Sequence, residues 1–101
     1  MSGLYKSIFE MVKAVPEGMV TTYGQLAAKS GNPRRSRVIG GAMARCNDSS
    51  VPCHRVVRKD GSLPSSFGIG GREYQRFLLE NEGVTFLADG RVDMGKHLWT
   101  L

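Results

Sequence analysis

The chain has 101 residues, of which 41% are hydrophobic and 23% charged, and its formal net charge at pH 7 is +5. This length and composition favour one packed domain spanning residues 1–101 and exclude a low-complexity chain. Two cysteines are too few for a disulfide framework, and no apolar run would serve as a signal peptide or membrane span, so we expect a cytoplasmic protein that does not contact a membrane.

The first predicted element is an amphipathic helix over residues 3–14, where Leu4, Ile8, Val12 and Val15 recur at helical spacing. Pro16 and Gly18 would end it. Thr21 and Thr22 can cap a second helix from Tyr23 to about Lys29. Its buried side would carry three apolar residues: Leu26, Ala27 and Ala28.

A third helix is predicted from Pro33 to about Arg45, after a tight turn at residues 30–32. Two short helices joined by a glycine-containing turn are typical of a helix-turn-helix. Four side chains of this third helix would pack inward: Val38, Ile39, Ala42 and Met43. Its N-terminal end gathers Arg34, Arg35 and Arg37, and recognition helices usually present that end to DNA.

Basic side chains dominate residues 34–59, opposed there only by Asp48. The members are Arg34, Arg35, Arg37, Arg45, Arg55, Arg58 and Lys59. Such a cluster favours a polyanionic partner, although a solvated surface would have the same composition.

The rest of the chain predicts short elements and one more helix. They are a loop at 47–52, a strand from Arg55 to Arg58, a turn at 59–61, an irregular loop at 62–71, a helix from about Arg72 to Asn81 and a hairpin of residues 84–87 and 91–92. Apolar surface on the helix would come from Tyr74, Phe77, Leu78 and Leu79, and Gly83 would stop it. The tail, with Leu98 and Trp99, would pack on the body of the domain.

Residues 52–57, Pro-Cys-His-Arg-Val-Val, form the most informative motif. A thiol beside an imidazole and basic side chains can be held as a thiolate, which is the nucleophilic form of cysteine. If Cys53 and His54 lie on extended backbone they point in different directions, so a bridging water between them is reasonable. The two cysteines and His54 do not form a paired zinc-ligand pattern.

Taken together, these segments resemble the DNA-binding and active-site domain of O6-alkylguanine-DNA alkyltransferases. The matching stretches are residues 20–27, 31–33, 36–43, 52–57 and 78–83, in the family's order. The resemblance implies an α+β, mostly helical, winged helix-turn-helix with a small β-wing. It also implies that the protein acts as a monomer on double-stranded DNA carrying O6-alkylguanine.

The resemblance assigns DNA contacts to the helix pair. Arg37 would fill the place of a guanine flipped out through the minor groove, and Tyr23 would crowd the adjacent phosphate. Close approach to the groove would need the small residues Gly40, Gly41 and Ala42, with further DNA contacts from Arg34 and Arg55. From the residues alone, Tyr23 could equally be a core aromatic, Arg37 a solvated side chain, and the glycines a helix–helix contact.

The resemblance also assigns the chemistry. Cys53 would attack the alkyl carbon, His54 would take the thiol proton through a water, Glu82 would orient the imidazole and Tyr23 would donate a proton to the leaving guanine. Asn47, Pro52 and Val56 would line the pocket. The product is a thioether, so the protein would act once, as a methylated-DNA–protein-cysteine methyltransferase without metal or cofactor.

Some features favour a different outcome. The family's Asn-Tyr-Ser-Gly-Gly pocket loop is replaced by residues 65–71, the loop before Cys53 differs in length, and the N-terminal domain of longer members is missing. The tail from Gly90 to Trp99 is similar to that of alkyltransferase-like proteins, which bind the lesion without repair and flag it for excision-repair proteins. Those proteins normally lack the cysteine. A transcription regulator is a third hypothesis, but it leaves Cys53 and His54 unexplained.

Overall fold

The structure is a computed structural model that describes residues 3–45, 49–65 and 70–100. Five α-helices and two short strands follow one another in this part of the chain. They are α1 (Gly3–Lys13), β1 (Thr21–Thr22), α2 (Tyr23–Lys29), α3 (Ser36–Arg45), β2 (Val56–Val57), α4 (Gly71–Asn81) and α5 (Met94–His97). The predicted α+β, mostly helical class is confirmed.

In the predicted helix-turn-helix, side-chain caps mark the start of α2 and the start of the turn that precedes α3. The Thr22 hydroxyl accepts a hydrogen bond from the backbone N–H of Gln25 and so starts α2. Asn32 accepts from the N–H of Arg34, but the residues that follow, Pro33–Arg35, form a 3₁₀ turn. The α-helix therefore starts at Ser36 rather than at the predicted Pro33.

The two strands form a parallel pair, with Thr21 opposite Val56 and Thr22 opposite Val57. Because neighbouring side chains of a strand point to opposite faces, Val56 and Val57 pack in two different hydrophobic clusters. Val56 packs with Cys53 and the buried faces of α1, α2 and α3. Val57 packs in a second cluster formed with Val20, Leu63, Leu79, Val84 and Val92. The strand predicted over Arg55–Arg58 is limited in the structure to Val56 and Val57.

Several predicted core positions lie at the surface. Val38 is 46% exposed on α3, and Ala28 is exposed on α2. On α4, Tyr74 and Phe77 are exposed and their rings stack on each other with centroids 6.3 Å apart. These helices are short and meet the core along a narrow stripe, so side chains beside the stripe reach solvent.

The C-terminal segment closes on the start of β1. The predicted hairpin is confirmed by the antiparallel bridge between Phe86 and Val92, and Val20 forms a parallel bridge with Leu98. The His97 ring joins two segments: Nδ1 bonds the Gly18 carbonyl at 2.9 Å, and Nε2 accepts from the Thr85 N–H at 3.0 Å. The tail is therefore held to the body, although the Trp99 side chain remains 38% exposed.

Candidate active site and nucleic-acid interface

Cys53 opens a tight turn rather than an extended segment. Residues Cys53–Arg55 form a 3₁₀ turn, in which the Arg55 N–H donates to the Pro52 carbonyl at 2.9 Å. The Cys53 side chain is 9% exposed and packs in the first hydrophobic cluster. The expectation of extended backbone at Cys53 and His54 is therefore wrong. The turn still sends the two side chains in different directions, because successive residues of a 3₁₀ turn are rotated by about 120°.

His54 points to Glu82, the residue just after α4. Its Nε2 lies 2.8 Å from Glu82 Oε2. A carboxylate only accepts hydrogen bonds, so Nε2 carries a proton, and in the neutral ring the lone pair is therefore on Nδ1. The structure thus brings His54 and Glu82 together. In this arrangement the neutral imidazole can accept a proton at Nδ1.

Arg55 completes this network from the other side. Its Nε and Nη2 donate to the two oxygens of Glu82 at 2.9 and 2.7 Å, and its Nη1 donates to the Val15 carbonyl at 2.8 Å. The arginine side chain is 15% exposed. These three bonds hold the guanidinium inside the protein, so the structure assigns Arg55 a role in the fold, and the sequence prediction that it contacts DNA stays a prediction.

The electrostatics of Glu82 follow from these partners. Burial alone would raise its pKa, but the hydrogen bonds from Arg55 and His54, together with their charges, outweigh burial, so its pKa lies below the ordinary value. Glu82 is consequently ionised at neutral pH, and it holds both side chains of the Cys53 turn.

Gln75 on α4 holds the backbone of the same turn and was missed by the sequence analysis. Its Nε2 donates to the carbonyls of His54 and Val56 at 3.0 and 3.1 Å, and its side chain is fully buried. Its Oε1 has no hydrogen-bond partner. The available signal was its spacing: Gln75 lies one turn before Leu79, on the apolar face of the helix. A polar residue at such a position indicates a buried hydrogen-bonding role.

Tyr23, at the start of α2, is half-buried against the first hydrophobic cluster. Burial raises the pKa of its phenol to about 12; the Arg58 guanidinium partly opposes this increase, and the Cys53 sulfur adds to it. The phenol is therefore protonated at neutral pH and lies within electrostatic range of the thiol. Tyr23 thus packs against the cluster that contains Cys53, and its role in the chemistry of the thiol stays a prediction.

The other predicted DNA contacts lie on the outer face of α3 and on the 3₁₀ turn that precedes it. Arg34 and Arg37 are exposed, and a Cβ atom built on Gly40 or Gly41 would meet no other atom within 4 Å. Packing inside the protein therefore does not explain these two helical glycines. Ala42 differs, because it is 2% exposed and packs in the core, so its predicted place at the DNA interface is wrong.

The predicted pocket residues are only partly described. Pro52 is half-buried before the Cys53 turn, whereas Val56 is fully buried in the core and cannot line an open pocket. Asn47 lies outside the described residues, as do residues 66–69 of the loop that replaces the family's pocket loop. Within the described part of the chain, no three potential metal-ligating side chains lie together, and no helix is long and apolar enough to cross a membrane.

Comparison with known proteins decides the family. The family model of the DNA binding domain of 6-O-methylguanine DNA methyltransferase matches residues 3–84. The chain belongs to this family. The resemblance noted in the sequence is thereby confirmed.

Relatives in this family differ in length and in name. The DNA base-flipping protein of Escherichia coli is 38% identical over 93 residues, which cover 91% of this chain and 70% of that protein. The methylated-DNA–protein-cysteine methyltransferase of Rattus norvegicus is 42% identical over 79 residues, which cover 76% of this chain but 37% of the enzyme. Alkyltransferase-like protein 1 of Schizosaccharomyces pombe is 31% identical and matches 98% of this chain and 96% of its own length.

Solved structures agree with this family assignment. S. pombe Atl1 in complex with damaged DNA containing O6-carboxymethylguanine superposes with a TM-score of 0.85 at 29% identity, covering all of this chain and 98% of Atl1. The methyltransferase OGT of Mycobacterium tuberculosis in complex with DNA gives a TM-score of 0.73 at 30% identity, covering 82% of this chain and 50% of OGT. The fold is therefore that of the alkyltransferase DNA-binding domain.

Proposed function

We propose that this protein binds double-stranded DNA carrying O6-alkylguanine, flips the damaged base out of the helix and transfers the alkyl group to Cys53. One observation carries the proposal: the Cys53 turn is held by the His54–Glu82 pair, next to the protonated phenol of Tyr23. A merely structural cysteine would not need an imidazole bound to a buried carboxylate beside it and a tyrosine packed against its cluster.

The proton transfers follow from the tautomer of His54. Its Nδ1 takes the thiol proton through a bridging water, and Glu82 stabilises the resulting imidazolium. The thiolate attacks the alkyl carbon, the carbon–oxygen bond breaks, and its electron pair goes to the guanine. The guanine accepts a proton from Tyr23, which regains one from the imidazolium. The thiol proton thus ends on the guanine, and the alkyl group ends on sulfur as a thioether.

The raised pKa of Tyr23 limits when that proton moves. A phenol with a pKa of about 12 remains a hydrogen-bond donor to the intact base and gives up its proton only as negative charge develops on the guanine. Tyr23 therefore favours the charge distribution of the transition state over that of the bound lesion.

DNA binding is assigned to the outer face of α3 in a winged helix-turn-helix arrangement. Arg37 would enter the base stack from the minor groove, and Arg34 would contact a phosphate. Gly40 and Gly41 would allow the helix backbone to approach the groove walls, since neither is required by packing within the protein. The protein would act as a cytoplasmic monomer without metal or cofactor.

A second candidate function is lesion binding without transfer, followed by recruitment of excision-repair proteins. Similarity to alkyltransferase-like protein 1 over almost the full length of both chains favours it. The buried thiol of Cys53 beside the His54–Glu82 pair favours transfer instead.

Intact-mass measurement separates the two. The protein is incubated with an excess of duplex containing O6-methylguanine, alongside undamaged duplex and the Cys53→Ser variant. We expect one added methyl group, about 14 Da, only for the wild type with the lesion, and peptide mapping should locate it on Cys53. An unchanged mass, with the lesion duplex still bound in a shift assay, would replace transfer by the recruitment function.

A further inference from the structure

Arg58 lies beside Tyr23 because of the strand register. Thr22 and Val57 are the last paired residues of the parallel strands β1 and β2. Tyr23 and Arg58 follow them directly, so both leave the sheet at the same end. The charge of Arg58 acts on the Tyr23 phenol, which is consistent with this placement.

The side chain of Arg58 is exposed, in contrast to that of Arg55 three residues earlier. No carboxylate in the described ranges forms a salt bridge with it, whereas Arg55 is bound through both its edge nitrogens to Glu82. The acid in the following turn, Asp60, already accepts two hydrogen bonds from Ser62. Arg58 is thus a cation whose guanidinium is available to a ligand, at the edge of the site that holds Cys53.

A flipped nucleotide would place a charged phosphodiester at that edge of the site. Its base would enter toward the buried thiol, but its phosphodiester must stay at the surface, because burying an unpaired charge is costly. A guanidinium offers paired N–H donors that match two phosphate oxygens. The phosphate beside the flipped nucleotide would lie next to Tyr23, where Arg58 also lies.

We propose that Arg58 binds the phosphodiester adjacent to the flipped nucleotide and, with Tyr23, clamps the backbone in the rotated conformation. The proposal rests on the proposed function and adds a residue to it. Arg58 is then a lesion-site contact, distinct from the nonspecific phosphate contacts expected of the α3 arginines.

The test pairs a protein variant with a neutral phosphate. Affinity is measured for wild type, Arg58→Ala, Arg58→Lys and the control Lys59→Ala, each on lesion duplexes with either a normal phosphate or a methylphosphonate on each side of the O6-methylguanine. On normal duplex we expect Arg58→Ala to weaken binding about tenfold, Arg58→Lys to recover part of this, and Lys59→Ala to lose about threefold or less. On one of the two neutral duplexes, Arg58→Ala should lose less than about twofold, because its partner is already absent.

Two outcomes would overturn the assignment. One is that Arg58→Ala lowers the affinity by the same factor on all duplexes, which would mean that Arg58 acts only as a long-range charge. The other is a changed pH profile of Cys53 alkylation by iodoacetamide in DNA-free Arg58→Ala, which would mean that the guanidinium acts on the thiolate instead. Wild-type preference for lesion over undamaged duplex is measured in parallel. If the wild type shows no such preference, the proposed function is refuted. If the preference is present but the losses from Arg58→Ala and from the methylphosphonate simply add, only the role of Arg58 is refuted.

Discussion

The network around Glu82 and the outer face of α3 use polar and small residues in opposite ways. In the network, His54, Arg55 and Glu82 use their hydrogen-bonding groups on one another. On α3, Arg37 projects into solvent and two glycines leave open space beside the helix. Glycine in a helix costs stability relative to alanine, and no packing contact among the described residues offsets that cost. The first region therefore serves the fold and the position of the thiol, and the second is arranged for an external partner.

Glu82→Gln should have the largest effect on stability. It leaves Arg55, 15% exposed, without a carboxylate, and we expect the free energy of unfolding to fall by about 2–3 kcal/mol in urea denaturation. Glu80→Gln is the matched control on the same helix. Its salt bridge with Arg76 is about half exposed, so the loss should stay below about 0.5 kcal/mol.

The same pair of variants has a pH signature. Because the pKa of Glu82 is lowered in the folded protein, its contribution to stability is present above the pKa of an unfolded glutamate and is lost as pH falls through the folded value. The difference between wild type and Glu82→Gln should therefore shrink in acid. A difference that stays constant down to pH 2 would contradict the assignment of an ionised Glu82.

Gln75→Met should lower the free energy of unfolding by about 1–2 kcal/mol, because it leaves the carbonyls of His54 and Val56 without a donor. The loss is moderated because the unpartnered Oε1 is removed as well. Urea denaturation measures this loss. Glu73 on the same helix is exposed, so Glu73→Gln serves as the control and should lower the free energy of unfolding by less than about 0.5 kcal/mol. Equal effects of the two variants would mean that Gln75 does not hold the turn.

Arg37→Ala tests the outer face of α3. If Arg37 supports the gap left by a flipped base, lesion binding should weaken by about tenfold or more, roughly 1.4 kcal/mol, without a change in stability. Arg34→Ala, at the same end of the helix, should cost less and reduce the slope of log affinity against log salt by about one. Similar small losses for both would reduce Arg37 to one charge among several.

Gly41→Ala should move stability and binding in opposite directions. A Cβ at this position meets open space, so the helix should gain about 0.5–1 kcal/mol from the better helix former. Affinity for lesion duplex should fall a few-fold, because the added methyl separates the helix from the groove. Improved stability with unchanged affinity would remove Gly41 from the interface.

Tyr23 gives the smallest effect on stability at neutral pH, because its phenol stays protonated there. A pKa of about 12 in the folded state, against about 10 in the unfolded chain, means that stability falls as pH rises from 10 to 12. Absorbance at 295 nm should show a late tyrosine step near pH 12, and Tyr23→Phe should remove that step. Tyr23→Phe should also slow methyl transfer while sparing most binding. An absorbance change that is the same for wild type and Tyr23→Phe above pH 11 would contradict the burial of the Tyr23 phenol.

The sequence predicted the helices well because their caps and stops are local. Thr22 and Gly83 mark the start of α2 and the end of α4 through their own side-chain and backbone preferences. The motif at 52–57 and the resemblance located the thiol and its partners. The role of Arg55 in the fold was not predicted, because its partner Glu82 lies far along the chain and charge alone does not say whether an arginine faces inward or outward. Ala42, Val56 and Gln75 were likewise decided by tertiary packing.

The parallel pairing of β1 with β2 has a kinetic consequence. Its two strands are separated by α2, α3 and the following loop, so the pairing requires closure of a long segment of chain before the contacts form. The helices α1 to α3 involve nearer neighbours and can assemble earlier. The Cys53 turn would then reach its final geometry late in folding. In newly made chains the helices would therefore pack before Cys53 can act as a nucleophile. Pulse-labelling of the thiol during refolding would follow that interval directly.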